Sequence, residues 1–368
     1  MLGLSSGLYW RNRVKKEEPI FDPNLVASEA INENLTACQA WYDFTDQTSV
    51  FRDNGGLYTI GENEHIGRIE NKAQGVRRVG SFLRGNWNDV GGDGGGSNPK
   101  FKLNGVNGHS YANFDASYLN GYGQGLSASD YFSFGYQSSG GHGGGSYFTP
   151  AITTEYTDFD GWYGHPVGWY PNKWSNGSSS PNDNYFSFWS FYTNDTTIFW
   201  VIKPASANPS GFGSQTHWMF RPDYNDPPGA SGRGQETYVE GFTKNYGDLF
   251  GVRYNDEQSG TYGVTYTSTG GDVTDDVNIL FAIFNDDGLS LSQNGSELID
   301  TEAISSNVAW QMKSGMMAIG QWPLGNVHSG VISGSAFDGD FYELIIFNKA
   351  LDSTELGTVL AGLSNKYN

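Results

Sequence analysis

Residues Thr196-Thr197-Ile198-Phe199-Trp200-Val201-Ile202-Lys203-Pro204 form a continuous apolar run with β-branched and aromatic side chains. A run of this kind reads as a strand buried on both faces, and the proline, which has no N–H to give to a ladder, ends it. Shorter segments of strand character recur at 40–44, 100–103, 110–114, 250–254, 262–268, 278–285, 288–293 and 341–347. Asn104-Gly105 and Asn107-Gly108 supply turn dipeptides between two of them. Aromatic residues make up 15% of the chain, and 51 glycines and 13 prolines are spread without collagen period, which suits many strands joined by tight turns and long loops. The good helix signal lies near the C-terminus. Asp352 or Ser353 caps a turn containing Glu355, and Leu356, Val359, Leu360 and Leu363 follow at helical spacing. The expected class is all-β, a two-sheet antiparallel sandwich with an extended N-terminal arm and a short C-terminal helix.

The arm is expected over residues 1–36, where Glu17-Glu18-Pro19 and Asp22-Pro23 break any helix and only 25–35 has weak helical character. The sandwich is expected over 37–368, with a glycine- and aromatic-rich insertion at about 120–195. The glycine loop at 85–98 lacks the following helix and lysine of a phosphate cradle and reads as a surface loop. A net charge of −19, from 40 acidic and 21 basic residues, argues against nucleic acid as a partner, since such a partner demands a basic face. One cysteine, Cys38, precludes an internal disulfide. No segment approaches the roughly 18 apolar residues of a membrane helix. At the N-terminus the basic cluster follows the apolar residues, the wrong order for an export signal, so assembly in a cytoplasm is expected.

Several segments, in this order, resemble concanavalin A-like lectin/laminin-G-type jelly-roll domains of phage virion proteins and bacterial surface proteins. Trp41-Tyr42-Asp43-Phe44-Thr45-Asp46 looks like the opening strand, and Asn107-Gly108 through Phe114-Asp115 like an "NG…FD" strand. The strand ending in Lys203-Pro204 and the hairpin from Asp286-Asp287-Gly288 to Asn294-Gly295 fit the same pattern. The most specific match is the closing segment Phe337-Asp338-Gly339-Asp340-Phe341-Tyr342-Glu343 through Asn348-Lys349-Ala350-Leu351-Asp352. The resemblance covers about 37–368 and implies a two-sheet jelly roll.

Three chemistries suggest themselves. Some glucanases on this fold use an E-x-D-x-x-E strand, and Asp338, Asp340 and Glu343 share its spacing with Asp in the first place. An odd offset, however, puts Glu343 on the opposite strand face unless a bulge intervenes. Relatives often bind Ca²⁺ through loop carboxylates, which makes Asp43, Asp46 and Asp115 the metal candidates, with Asp53, Asp286 and Asp287 behind them. Asp286-Asp287-Gly288 equally reads as a plain turn. Sugar rings stack on aromatic faces, so Trp162, Tyr163, Trp169, Tyr170 and Trp174 in the insertion are candidate carbohydrate-binding residues, or else a small core under a long loop. The six histidines show no zinc spacing, and no nucleophile elbow is present.

The arm residues Leu2, Leu4, Leu8, Tyr9 and Trp10, followed by Arg11 and Arg13, suit docking on a neighbouring subunit. The order of the N-terminus weighs against an exported lectin, and heptads and fibre repeats are absent. The expectation is therefore a non-enzymatic bacteriophage virion protein, a capsid decoration protein with a lectin-like jelly roll. Its partners would be other virion proteins through the arm and a host-surface glycan, with self-association an open alternative and no membrane insertion. A tail-associated receptor-binding protein and a bacterial carbohydrate-binding module remain alternatives, with a glycoside hydrolase behind them.

Overall fold

The structure is a computed structural model that describes residues 21–28, 33–53, 56–74, 82–85, 99–114, 132–134, 137–139, 146–148, 195–205, 214–222, 238–244, 249–256, 261–267, 276–285, 288–302, 315–320 and 337–368. The strands are β1 (Cys38–Asp43), β2 (Val50–Phe51), β3 (Arg68–Glu70), β4 (Phe82–Gly85), β5 (Lys100–Lys102), β6 (Tyr111–Phe114), β7 (Phe132–Phe134), β8 (Gln137–Ser139) and β9 (Ser146–Phe148). They continue with β10 (Thr196–Pro204), β11 (Ser214–Pro222), β12 (Tyr238–Lys244), β13 (Leu249–Asp256), β14 (Thr261–Thr267), β15 (Asn278–Asn285), β16 (Gly288–Gln293), β17 (Ser296–Glu302), β18 (Gly315–Ile319) and β19 (Gly339–Phe347). The helix α1 (Ser353–Tyr367) closes the chain.

The first sheet runs β17-β16-β15-β10-β19-β6-β5, with β1 also paired to β19. The second runs β14-β13-β12-β11-β18-β7-β4-β3-β2, and β8 and β9 form a separate hairpin. Every pairing is antiparallel among the described strands. The chain is an all-β, two-sheet jelly-roll sandwich with a C-terminal helix.

Strand β10 shows how the layers are held. Ile198, Trp200 and Ile202 enter the core between the sheets, beside Trp218, Phe250 and Phe341. Phe199 and Val201 face the other way, into a second cluster with Val359, Leu363 and Tyr367 of α1. The strand is thus buried on both faces because the helix roofs the outer side of the first sheet. Each fully buried side chain of this size contributes roughly 1.5–3 kcal/mol. Asp352 starts the helix by accepting from the backbone N–H groups of Thr354 and Glu355, each at 2.9 Å, while Glu355 accepts from the Asp352 N–H at 3.0 Å.

Residues from the second half of the expected arm belong to this outer cluster. Ala27 is buried there, Phe21 and Val26 pack against it, and the Phe21 ring lies directly on Gly362 of the helix. Within 120–195, the described pieces are, besides Asp195 ahead of β10, the β8–β9 hairpin and β7, which is a member of the second sheet between β18 and β4.

Strand β19 organises the first sheet. One edge pairs with β10, and the other is divided between β6, opposite 339–341, and β1, opposite 343–347. At the division the register against β10 slips from Val201↔Glu343 to Ile202↔Phe341, leaving Tyr342 as a bulge. The Phe44 N–H fills the gap by donating to the Tyr342 carbonyl at 2.9 Å. Phe341 and Leu344 therefore both face the inter-sheet core, while Tyr342 and Ile345 both face outwards. This puts Glu343 on the same face as Asp340, as alternation alone would not.

Candidate functional site

The bulge brings the acidic residues of β19 to the outer face, and their surroundings give them different tasks. Glu343 is fully buried under α1. Its Oε1 accepts from Trp41 Nε1 at 2.6 Å, and its Oε2 accepts from Tyr367 OH at 2.6 Å and Lys366 Nζ at 2.9 Å. Lys366 also donates to Asp43 Oδ1 at 3.0 Å, and Lys72 to Asp43 Oδ2 at 3.0 Å. Lys72 reaches Asp46 as well, at 2.8 Å, and lies 4.1 Å from the centre of the Trp41 ring. Burial pushes the Asp43 carboxyl up, but Lys366 and Lys72 outweigh it and hold it below the usual carboxylate range. Burial lowers Lys366, yet Glu343 and Asp43 carry it above the ordinary lysine value. Burial, reinforced by Glu343 and Asp43, raises the Tyr367 phenol well above its usual value and keeps it a donor.

Lysine ammonium groups thus neutralise Asp43 and Asp46, two of the residues expected to hold calcium. The third, Asp115, lies outside the described residues, as do Asp286 and Asp287. Asp53 accepts from the backbone N–H groups of Leu57 and Tyr58 and closes their loop. Among the described residues, no three His, Cys, Asp or Glu gather as metal ligands. Of the glucanase-like triplet, Glu343 is committed to pinning α1, and the Asp338 N–H takes Gln215 Oε1 as its acceptor at 3.3 Å.

Asp340 has a different place. It lines a groove of about 670 Å³ on the outer face of the first sheet, walled by Tyr111, Lys203, Tyr342 and Asp276, by the turn residues Asn104 and Asn294, and by Tyr367 and Asn368 at the end of α1. The sequence makes each wall for a local reason. Asn104 and Asn294 take positive φ (59° and 50°), the left-handed backbone that asparagine tolerates in tight turns. Asn294 is held by the Ile279 N–H, which donates to its Oδ1 at 2.8 Å. Gly105 lets the Tyr111 ring approach so closely that a Cβ would stand 2.6 Å from the ring. Asn107, also at positive φ, donates to the carbonyls of Lys366 and Asn368, each at 3.2 Å, and fixes the end of α1 against the groove.

Within the groove Tyr111 is half-buried and its ring centre lies 5.4 Å from that of Tyr342. Asp340 Oδ1 accepts from Asn113 Nδ2 at 2.8 Å. Burial raises the Asp340 carboxyl, against the lowering influence of Asn113, Lys203 and Lys102. Burial and the Asp340 and Glu62 charges raise the Tyr111 phenol, so it stays neutral. Chemically the groove offers an aromatic wall, a carboxylate acceptor, an ammonium donor and amides.

Sequence reading missed this site because its residues come from six separate segments. The tyrosine wall had a signal in the NG turn before β6, but Lys203 and Asp340 converge only through β-sheet register. The expected sugar-binding residues Trp162, Tyr163, Trp169, Tyr170 and Trp174 and the docking residues Leu2, Leu4, Leu8, Tyr9, Trp10, Arg11 and Arg13 lie outside the described residues.

No protein family matches the sequence, and no curated protein does. Among solved structures, the chain is similar to domain 4 of AbnA, a GH43 extracellular arabinanase from Geobacillus stearothermophilus in complex with arabinotriose. The identity is 12%, 88% of this chain and 98% of that one are covered, and the TM-score is 0.43. It is also similar to the CBM40 of the Ruminococcus gnavus IT-sialidase bound to α2,6-sialyllactose, at 15% identity over 45% of this chain and 82% of that one, with a TM-score of 0.34. A native heptameric SAP-like pentraxin from Limulus polyphemus is 15% identical over 46% of this chain and 70% of that one, with a TM-score of 0.33.

Proposed function

We propose that this chain is a carbohydrate-binding β-sandwich, non-enzymatic, whose ligand seat is the groove around Tyr111, Lys203 and Asp340. One observation carries the proposal: a half-buried aromatic wall stands beside a carboxylate and an ammonium in a groove of about 670 Å³. A pyranose needs both kinds of surface, an apolar face for its C–H groups and charged or amide groups for its hydroxyls. The volume is in the range of small-ligand sites, roughly 300–1,000 Å³. Binding is favoured over hydrolysis because Glu343, the last carboxylate of the glucanase-like triplet, is saturated by three donors beneath the helix. A broad glycan array is the test. We expect a discrete set of oligosaccharides to bind and Tyr111→Ala to weaken them at least tenfold under conditions where its melting curve shows it folded. Silence across the array would remove the proposal.

The virion role belongs to the same proposal and rests on the apolar-then-basic order of residues 2–16. A chain lacking residues 1–16 should fold and bind glycan yet fail to incorporate into particles. Normal incorporation would sink the docking arm.

A further inference from the structure

We infer that the groove selects an uncharged sugar by holding a vicinal diol between Asp340 and Lys203, an inference that rests on the glycan reading above. The two residues are direct cross-strand partners of β19 and β10 and line the same groove. Partners of this kind have Cβ atoms about 4.5–5.5 Å apart. They nevertheless form no ion pair with each other: Asp340 Oδ1 is engaged by Asn113 Nδ2, and Lys203 acts on the carboxylate only through space. The other Asp340 oxygen and the Lys203 ammonium make no side-chain hydrogen bond among the described residues.

A carboxylate can only accept and an ammonium can only donate. A hydroxyl does both. Two neighbouring hydroxyls of a pyranose can therefore donate a hydrogen bond to Asp340 and accept one from Lys203, with the ring lying along Tyr111. A lone anion would satisfy Lys203 and leave the Asp340 charge opposed, and a lone cation would do the reverse.

The charge balance disfavours the anion more. Asp276 lies in the groove with Asp340 against Lys203, and outside it the Glu62 charge, which acts on Tyr111, is set against that of Lys102, which acts on Asp340. The net charge of the chain, −19, adds the same sign at long range. A sialylated or uronate-bearing glycan meets repulsion that its neutral counterpart does not.

The experiment prints neutral oligosaccharides on one array beside their sialylated and uronate-bearing counterparts, and reads it with wild type, Asp340→Asn, Lys203→Met and Lys203→Arg. We expect the hits to be neutral and at least tenfold stronger than their anionic counterparts. Asp340→Asn and Lys203→Met should each lose tenfold or more, and their combination should lose less than the product, the mark of two groups sharing one ligand element. Lys203→Arg, which keeps the donor charge, should retain binding. Melting temperatures show which variants are folded, and either single variant suffices if the other unfolds. Anionic glycans bound as strongly as neutral ones, or neutral binding that survives both variants, would overturn the diol seat while leaving glycan binding intact. No hit of either class would remove the glycan reading and this inference with it.

Discussion

His217 stands at a bulge in β11, where the register against β12 slips between Thr216 and Trp218. It is fully buried, with the rings of Trp200, Phe250 and Phe337 centred 6.4, 6.0 and 5.2 Å away. Trp200 Nε1 donates to its Nδ1 at 3.2 Å, so the neutral ring carries its proton on Nε2, which has no partner among the described residues. Burial lowers its pKa from 6.5 to about 3. A depressed folded value means the contribution is complete above the unfolded pKa and is lost as pH falls towards the folded one. Each pH unit inside that window costs about 1.4 kcal/mol. Between pH 7.5 and 5.0, some 1.5 units of it are crossed, and the sandwich should lose on the order of 2 kcal/mol. Denaturant midpoints at the two pH values measure this directly. His217→Gln keeps an acceptor for Trp200 but cannot titrate, so it should be weaker at pH 7.5 and lose most of the pH dependence. The raised carboxyl of Asp340 acts in the opposite sense and is common to both proteins, so it cancels in the difference. An unchanged wild-type midpoint, or the same fall in His217→Gln, would refute the argument.

Glu343→Gln removes one of the two carboxylates that Lys366 bridges, leaving it Asp43, and should destabilise by roughly 1.5–3 kcal/mol, read as a lowered melting temperature. Gly339→Ala places a methyl 2.5 Å from the Lys203 carbonyl at a φ of +145°, and should cost roughly 1–3 kcal/mol by the same measurement. Asp352→Ala takes away the helix cap and should lower the melting temperature, with amide exchange accelerating first in α1.

The strands legible in the sequence share a mark. It is a run or an alternation of apolar residues: β10 and β15 are apolar through their centres, β16 alternates Leu289 and Leu291 with Ser290 and Ser292, β19 runs Leu344-Ile345-Ile346-Phe347 after Glu343, and their bounds follow the pattern closely. The helix was legible for another reason, its cap and spacing, and Asp352 and Glu355 form the expected box. Strands β11 and β12 are interrupted by polar and glycine residues. His217 and Glu240 are buried in β11 and β12, and Gly241 faces the Trp218 indole at a distance that excludes a side chain, so polar and glycine positions stand where apolar ones would be read. Tertiary packing decides these strands, not local preference.

The candidate site was illegible for a reason of register rather than composition. The sequence placed Asp340 and Glu343 on opposite faces unless a bulge intervened, and the bulge at Tyr342 is present. Once both carboxylates share a face, their burial separates them: Glu343 lies beneath α1 with three donors, whereas Asp340 opens into the groove with one. Tyr367 joins the two, since its hydroxyl is bonded to Glu343 and the residue is a wall of the groove. The groove is therefore built on the buried charge network and inherits its stability. Loss of glycan binding in a Glu343 variant would report a displaced wall, and should be recovered by a substitution elsewhere that restores the helix. Loss in an Asp340 variant with an unchanged melting temperature would report a missing contact, and no stabilising substitution should recover it.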